Sequence, residues 1–170
     1  EPIVFRDLKP SNIMATPEDR IVLIDFGIAR NLTRADRKGT IIGTEGYSPP
    51  EQYRGVAEPV GDLYALGATL HHLLTASDPR LETPFTFHER PLRQLNPKVS
   101  PELDAVISKA LEYDMTKRWA SAAEMREALI RTPTLAPSEA PAGARAPAAP
   151  VRGRAPEAEL VWRFKCEDEV

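Results

Sequence analysis

The sequence lacks several features that mark particular classes of protein. It has one cysteine in 170 residues, Cys166, which excludes an internal disulfide and a zinc site built on several thiolates. Its 22 basic and 25 acidic residues give a net charge of −3, so composition offers no basic surface for nucleic acid. No apolar run approaches the ~20 residues that a membrane-spanning helix needs. We therefore expect a soluble, cytoplasmic protein part with no nucleic-acid partner.

Glycine is also scarce, with 9 residues against 17 prolines, and the prolines are unevenly placed. Residues 131–158 hold six prolines, nine alanines and two glycines, and Leu135 and Val151 are their only large apolar residues. So little apolar surface cannot offset the entropy of ordering the segment, and the prolines favour an extended backbone. We predict a disordered linker over 131–158 between a folded part, 1–130, and the start of a further domain, 159–170.

Apolar periodicity divides residues 1–130 into strands followed by helices. Short apolar runs at 3–5, 13–14 and 21–24 predict buried strands, and the polar turn between the last two predicts a hairpin over 13–24. Three helices are predicted from their start signals: Pro59 before leucines at helical spacing, Ser100 with Pro101, and the capping box Ser121-Ala122-Ala123-Glu124. This order of elements predicts an α+β fold that is mainly α.

Two short motifs carry the chemistry. Arg6-Asp7-Leu8-Lys9-Pro10-Ser11-Asn12 lies between two predicted strands, and Asp25-Phe26-Gly27 follows the predicted hairpin. These spacings resemble the catalytic-loop and metal-binding motifs of protein kinases. The resemblance implies phosphoryl transfer, which needs a carboxylate that accepts the proton of the attacking hydroxyl, and Asp7 is the candidate. Oxygen ligands from Asn12 and Asp25 suit a hard cation such as Mg²⁺, and Lys9 would place positive charge where negative charge develops.

Each of these residues alone has an ordinary explanation. A single Asp or Asn in a loop is usually a turn or capping residue, and a single Lys is usually a solvated surface charge. The combination is specific because Asp-Leu-x-x-x-Asn and Asp-Phe-Gly occur in this order and on the expected elements. Pro49-Pro50-Glu51 then follows Gly43-Thr44-Glu45-Gly46-Tyr47 further along the chain.

With these motifs, residues 1–130 resemble the C-terminal lobe of a bacterial eukaryotic-like (Hanks-type) serine/threonine protein kinase. The resemblance implies a kinase-like C-lobe in which a small β-hairpin carries the catalytic and metal-binding loops. It also implies ATP, with Mg²⁺ or Mn²⁺, as cofactors, and protein substrates with Ser or Thr acceptors. Dimerisation for autophosphorylation in trans is a further implied interaction.

The resemblance also implies roles for residues outside the two motifs. Asp62 would hold the catalytic-loop backbone, and Arg118 would form a buried ion pair with Glu51. In the activation loop, Thr40 is the first expected phosphorylation site, with Thr33 second and Thr44 a further candidate, and Arg6 would bind the phosphate. Phe5 replaces the histidine that the family usually has before Arg-Asp, and we expect it to pack against Phe26.

The resemblance also indicates what the sequence does not contain. No glycine precedes Gly27, and Lys9 is the only lysine before Lys38, so we expect the N-terminal lobe with its Gly-rich loop to be absent from this chain. These 170 residues alone are then expected to be almost inactive. Leu160–Phe164 is similar to the opening of a β-propeller repeat, or is an amphipathic strand of another domain. A pseudokinase or scaffold module coupled to a ligand-sensing propeller is the alternative function.

Overall fold

The computed structural model describes residues 3–18, 20–26, 30–31 and 43–132, with the backbone alone at 30–31. All of them lie in one unit, Glu1–Pro137. The predicted segment 159–170 and the predicted linker after residue 132 lie outside the described residues. Within the described part the fold is α+β and mainly helical, as the sequence predicts.

Two short antiparallel ribbons surround the catalytic-loop motif. β1 (Ile3–Val4) pairs with β4 (Arg30–Asn31), with Val4 opposite Arg30. β2 (Ile13–Ala15) pairs with β3 (Ile21–Leu23), which confirms the predicted hairpin. The chain between β1 and β2 therefore leaves one ribbon and enters the other, and it carries the motif as a loop.

Most apolar residues of the hairpin are exposed, and the expectation of buried strands is wrong for them, although Ile13 packs against the buried Phe5 and Leu8. β3 is exposed along its whole length, with Ile21 68% exposed, and Met14 on β2 is 50% exposed. Phe26, just after the hairpin, is 55% exposed. No layer of the described residues covers this face. The hairpin therefore presents an open apolar surface.

Four α-helices form the body of the unit. They are α1 (Pro59–Thr75), α2 (Leu92–Leu95), α3 (Pro101–Ala110) and α4 (Ala122–Ile130). Single 3₁₀ turns lie between them and in the loops, at Pro10–Asn12, Gln52–Arg54, Pro79–Leu81, Phe87–Glu89 and Met115–Lys117. The three long helices begin where the sequence predicts, while α2 is too short to give a periodic signal.

Side-chain caps fix where α3 and α4 begin. The Ser100 hydroxyl accepts a hydrogen bond from the Leu103 amide at 3.2 Å, and the Ser121 hydroxyl accepts one from the Glu124 amide at 3.2 Å. Each cap satisfies a backbone donor that the first helical turn would otherwise leave unpaired. Both predicted N-caps are confirmed.

The core lies where α1 packs against α3 and α4. Leu63 of α1, Val106 and Ala110 of α3 and Met125 of α4 form one buried cluster. Gly67 permits the close approach, because a Cβ at this position would lie 3.0 Å from the Cβ of Ala110. α1 is thereby fixed as the central helix. No helix in the described part of the chain is long and apolar enough to cross a membrane.

Candidate active site

Asp7 and Asn12 are joined directly within the loop between β1 and β2. The Asn12 side-chain amide donates to the Asp7 carbonyl at 2.8 Å and to Asp7 Oδ2 at 3.0 Å. Pro10 begins a 3₁₀ turn that ends at Asn12, which brings the amide back over Asp7. Asn12 is only 4% exposed. Its amide orientation is fixed by these two bonds. Oδ1 accepts from the Ser11 hydroxyl at 3.5 Å and keeps a second lone pair that can act as a ligand.

Lys9 and Thr44 complete a closed arrangement around the Asp7 carboxylate. Lys9 Nζ lies 2.7 Å from Asp7 Oδ2 and donates to the Thr44 hydroxyl oxygen at 2.7 Å. The Thr44 hydroxyl donates to Asp7 Oδ1 at 2.5 Å. The Asp7 side chain is 14% exposed and that of Lys9 23%, so the site is open to a substrate on one side.

The backbone of this loop is anchored on the central helix. The Asp62 carboxylate, in the first turn of α1, accepts from the Phe5 amide at 2.7 Å and from the Arg6 amide at 2.8 Å. Arg6 has φ of 72°, a left-handed backbone that costs energy for a residue with a side chain. Burial raises the pKa of Asp62, although the two amide hydrogen bonds oppose that shift. The structure therefore shows the backbone-holding contact predicted for Asp62.

The segment that carries Asp25 is bonded to the Asn12 backbone. The Ile24 amide donates to the Asn12 carbonyl at 2.9 Å, and Asp25 follows with φ of 62°. The Phe5 and Phe26 rings meet edge to face with centroids 5.0 Å apart, which confirms the expected contact. Phe5 itself is 7% exposed.

Two polar side chains hold the loop from the other side. Gln52 Nε2 donates to the Arg6 carbonyl at 2.9 Å, and the Thr69 hydroxyl donates to the Leu8 carbonyl at 3.4 Å. Both residues are almost completely buried. Sequence reasoning missed them, because partners separated by 46 and 61 positions leave no local pattern.

Glu51 and Arg118 form the predicted ion pair. Arg118 Nη1 lies 2.6 Å from Glu51 Oε1 and Nη2 lies 2.9 Å from Oε2, a bidentate geometry. The Arg118 side chain is fully buried and also donates to the carbonyls of Glu112 and Tyr113. Its guanidinium lies over the Tyr64 ring, 4.8 Å from the centroid. The pair ties the segment after Thr44 to the segment between α3 and α4.

A cavity of about 240 Å³ opens next to the catalytic loop. Lys9, Ser11, Thr44, His72 and Arg80 are among its lining residues. Lys9 and Thr44 both contact the Asp7 carboxylate, so the cavity opens beside the candidate base.

Oxygen ligands for a cation are limited to a few side chains. The described residues contain no cluster of three or more His, Cys, Asp or Glu residues that could hold a metal. The carboxylate of Asp25 and the oriented amide oxygen of Asn12 fit Mg²⁺, which typically binds one or two protein ligands together with substrate phosphates.

The regulatory residues are only partly placed. Thr33 and Thr40 lie outside the described residues. Thr44 binds Asp7 and Lys9, which puts it inside the candidate active site. The sequence signal for Thr44 was its position directly after Gly43. Its contacts with Lys9 and Asp7 span 35 and 37 positions and leave no local pattern. Arg6 is 3% exposed, with its backbone bound by Asp62 and Gln52.

Comparisons with known proteins agree with this geometry. The protein kinase domain family matches residues 1–130. The chain is 38% identical over 151 residues to serine/threonine-protein kinase PknB of Mycobacterium leprae, covering 82% of this chain and 24% of that relative. It is 36% identical over 137 residues to probable serine/threonine-protein kinase SCO3848 of Streptomyces coelicolor, covering 73% and 20%. It is 40% identical over 136 residues to serine/threonine-protein kinase PknA of Nostoc sp., covering 75% and 24%. The chain thus spans 20% to 24% of the length of these relatives, and it belongs to the protein kinase domain family.

Proposed function

We propose that this chain supplies the catalytic and metal-binding loops of an ATP-dependent protein serine/threonine kinase. The observation that carries the proposal is the contact of the Asp7 carboxylate with both Lys9 Nζ and the Asn12 amide, with Asp25 on the adjoining segment. A turn or surface role for Lys9 and Asn12 would not require both of them to contact one carboxylate.

Asp7 would act as the base that orients the acceptor hydroxyl. Its carboxylate already accepts a hydrogen bond from a threonine hydroxyl, that of Thr44, at 2.5 Å. A substrate Ser or Thr hydroxyl would approach the same carboxylate from the cavity beside Lys9. Lys9, held 2.7 Å from Asp7, would keep a positive charge close to the transferred phosphoryl group.

Asp25 and Asn12 would hold the divalent cation of the nucleotide. Asn12 Nδ2 is used by Asp7, so the amide oxygen is left for the metal, and Asp25 would add a carboxylate. When bound, Mg²⁺ or Mn²⁺ neutralises charge on the ATP phosphates. The left-handed backbone at Asp25 would help to direct its carboxylate toward this position.

We propose this activity for the full-length protein that carries these residues. Phosphoryl transfer by the isolated 170 residues is expected to be negligible. The open apolar face of the hairpin supports this, because a surface that includes Ile21 at 68% exposure is suited to being covered. The test is transfer of labelled γ-phosphate from ATP to a generic protein substrate, followed by phosphoamino-acid analysis. Metal-dependent label on Ser or Thr in the full-length protein is expected, and Asp25→Asn should abolish it. Label on Tyr alone, or transfer that persists in Asp25→Asn, would contradict the proposal.

Regulation by phosphorylation is part of the same proposal. Thr40 would be the main autophosphorylation site, with Thr33 second, and the Arg6 guanidinium would bind the phosphate bidentately. Transfer between two copies would require at least transient dimerisation, with protein substrates met in the cytoplasm. Phosphopeptide mapping of wild type and Thr40→Ala tests this directly. The proposal would be refuted if Thr40→Ala kept full activity and the Thr40 peptide of the wild-type protein carried no phosphate.

A further inference from the structure

Positive charge lines the cavity beside the catalytic loop. Lys9 and Arg80 both line it, and the described residues that form its lining include no Asp or Glu. The two carboxylates nearby, those of Asp7 and Asp78, are already bonded to these two cations. Because Lys9 also contacts the candidate base Asp7, the cavity begins where the acceptor hydroxyl would be held. A substrate residue close to the acceptor along an extended chain would therefore place its side chain at this cavity.

Arg80 is held in position by Asp78. The guanidinium donates from Nε to Asp78 Oδ1 at 3.0 Å and from Nη2 to Asp78 Oδ2 at 2.5 Å. Asp78 is fixed in turn, because its Oδ1 accepts from the Arg80 amide at 3.0 Å and caps the 3₁₀ turn Pro79–Leu81. The hydrogen bonds from Arg80 lower the pKa of Asp78 to about 2, so the carboxylate stays ionised near neutral pH and keeps the guanidinium in place.

The remaining nitrogen of the Arg80 guanidinium is available to a ligand. Nη1 has no hydrogen-bond acceptor within the described part of the chain, and the side chain is 59% exposed. Each terminal nitrogen of a guanidinium carries two donor hydrogens, so Nη1 can bind a carboxylate oxygen. A side chain that is already oriented loses less conformational entropy when it binds a second acceptor. Arg80 is therefore a preorganised donor.

The other wall of the cavity brings no negative charge. The Tyr47 hydroxyl and His72 Nδ1 lie 2.6 Å apart and are hydrogen-bonded to each other. Burial raises the pKa of Tyr47, so its hydroxyl stays neutral. Ser11 and Thr44 add only uncharged hydroxyls. The lining thus offers hydrogen-bond donors and two cations, but no carboxylate for a basic substrate side chain.

We propose that Arg80 is a specificity-determining residue, which selects substrates with an Asp or Glu within about three positions of the phosphorylated Ser or Thr. The substrate carboxylate accepts from Arg80 Nη1, and Lys9 adds positive charge in the same cavity. A Lys or Arg at that substrate position meets like charge and is disfavoured. The inference rests on the proposed kinase function, because it concerns the acceptor site of that reaction.

The test measures kcat/KM of the full-length protein for short peptides with a single Ser acceptor in an Ala/Gly background. Each position on either side of the Ser carries Glu, Gln or Lys in turn. At one or two positions we expect Glu to raise kcat/KM by about fivefold over Gln, which is near the upper limit for an exposed ion pair, and Lys to lower it. The gain should lie mainly in KM, because the contact is the same before and during transfer.

Variants of Arg80 assign the preference to this residue. Arg80→Gln should reduce the Glu-to-Gln ratio of kcat/KM to less than about twofold, and Arg80→Glu should make Lys the preferred substrate residue. Arg126→Gln is the matched control, because Arg126 is exposed on α4 and does not line the cavity. It should keep the wild-type ratio.

The outcomes separate failure of this inference from failure of the proposed kinase function. Equal kcat/KM for the Glu, Gln and Lys peptides, or an unchanged preference for Glu in Arg80→Gln, would overturn the role of Arg80 while transfer itself remained. No transfer to any peptide or to a generic protein substrate would overturn the kinase function and this inference with it. Each ratio is measured within one protein, so partial loss of active protein cancels, and the wild-type comparison stands even if a variant fails to fold.

Discussion

Removal of either partner of the Glu51–Arg118 pair should destabilise the fold strongly. An exposed ion pair contributes about 0–1 kcal/mol, whereas breaking a buried pair costs about 3–5 kcal/mol because one charge is left without a partner. The fully buried Arg118 side chain and the 9% exposed Glu51 side chain place this pair in the second class.

The two partners should not be equivalent. In Glu51→Gln the guanidinium keeps the carbonyls of Glu112 and Tyr113, so we expect a loss near the lower limit, about 3 kcal/mol. Arg118→Met leaves the Glu51 carboxylate and both carbonyls without their donor, and should cost about 4–5 kcal/mol. In the double variant the stranded charge is gone, so its loss should be smaller than the sum of the single losses by about 2 kcal/mol.

Urea unfolding at 25 °C measures these differences. With a slope of about 2 kcal/mol per M, a 3 kcal/mol loss lowers the midpoint by about 1.5 M. The matched control is Arg131→Gln, which removes an exposed pair with Glu127 and should change stability by less than about 0.5 kcal/mol. A Glu51→Gln loss as small as that of the control, or strictly additive losses in the double variant, would refute the reasoning.

Three further predictions concern stability. Because burial raises the pKa of Asp62 above the ordinary value of about 3.9, its contribution to stability is fully present below about pH 4 and is lost as pH rises through the raised pKa. Asp62→Asn should remove this pH dependence of the unfolding free energy. Because Asn has one acceptor oxygen fewer, the substitution should also cost about 1–3 kcal/mol at pH 7. An unchanged pH dependence would contradict this. Burial lowers the pKa of His71, so its contribution to stability is present above about pH 6.5 and is lost as pH falls toward the lowered pKa. His71→Phe should therefore reduce the loss of stability in acid, as measured by urea unfolding at several pH values from 7 to 5. Gly46→Ala should cost more than about 2 kcal/mol, because Gly46 has φ of 83° and a Cβ there would lie 2.5 Å from the Pro79 carbonyl. Gly67→Ala, whose Cβ would meet only side chains, those of Ala110 at 3.0 Å and Leu111 at 3.2 Å, should lower the thermal midpoint less than Gly46→Ala. The reverse order would contradict this.

Local patterns were sufficient to predict the helix starts and the catalytic loop. Ser100 and Ser121 were identified as caps because an N-cap bonds to a residue three positions ahead, within one stretch of sequence. The loop from Asp7 to Asn12 was identified from its residue motif, and the Asp7–Asn12 contact within it spans only five positions. The Glu51–Arg118 pair, 67 positions apart, was predicted only through the family resemblance.

The remaining features depend on contacts that the sequence does not encode locally. The exposed strand β3 has the apolar composition of a buried strand. It is exposed because no described residues pack over it, and the sequence of the strand does not show this. Gln52 and Thr69 reach the catalytic loop across 46 and 61 positions. The cavity beside the catalytic loop is lined by residues from separate segments of the chain, and no single stretch of sequence indicates it.

The rate of phosphoryl transfer by Asp7→Asn, in the longest natural form of the protein, tests the central claim most directly. Asn keeps the size and one acceptor oxygen of Asp7 but cannot take up the proton, so the account predicts a rate lower by about 10²- to 10⁴-fold. Glu127→Gln, a charge removal on the exposed face of α4, should retain the wild-type rate. A wild-type rate in Asp7→Asn, or no transfer by the wild-type protein with ATP and Mg²⁺, would contradict the assignment of Asp7 as the base.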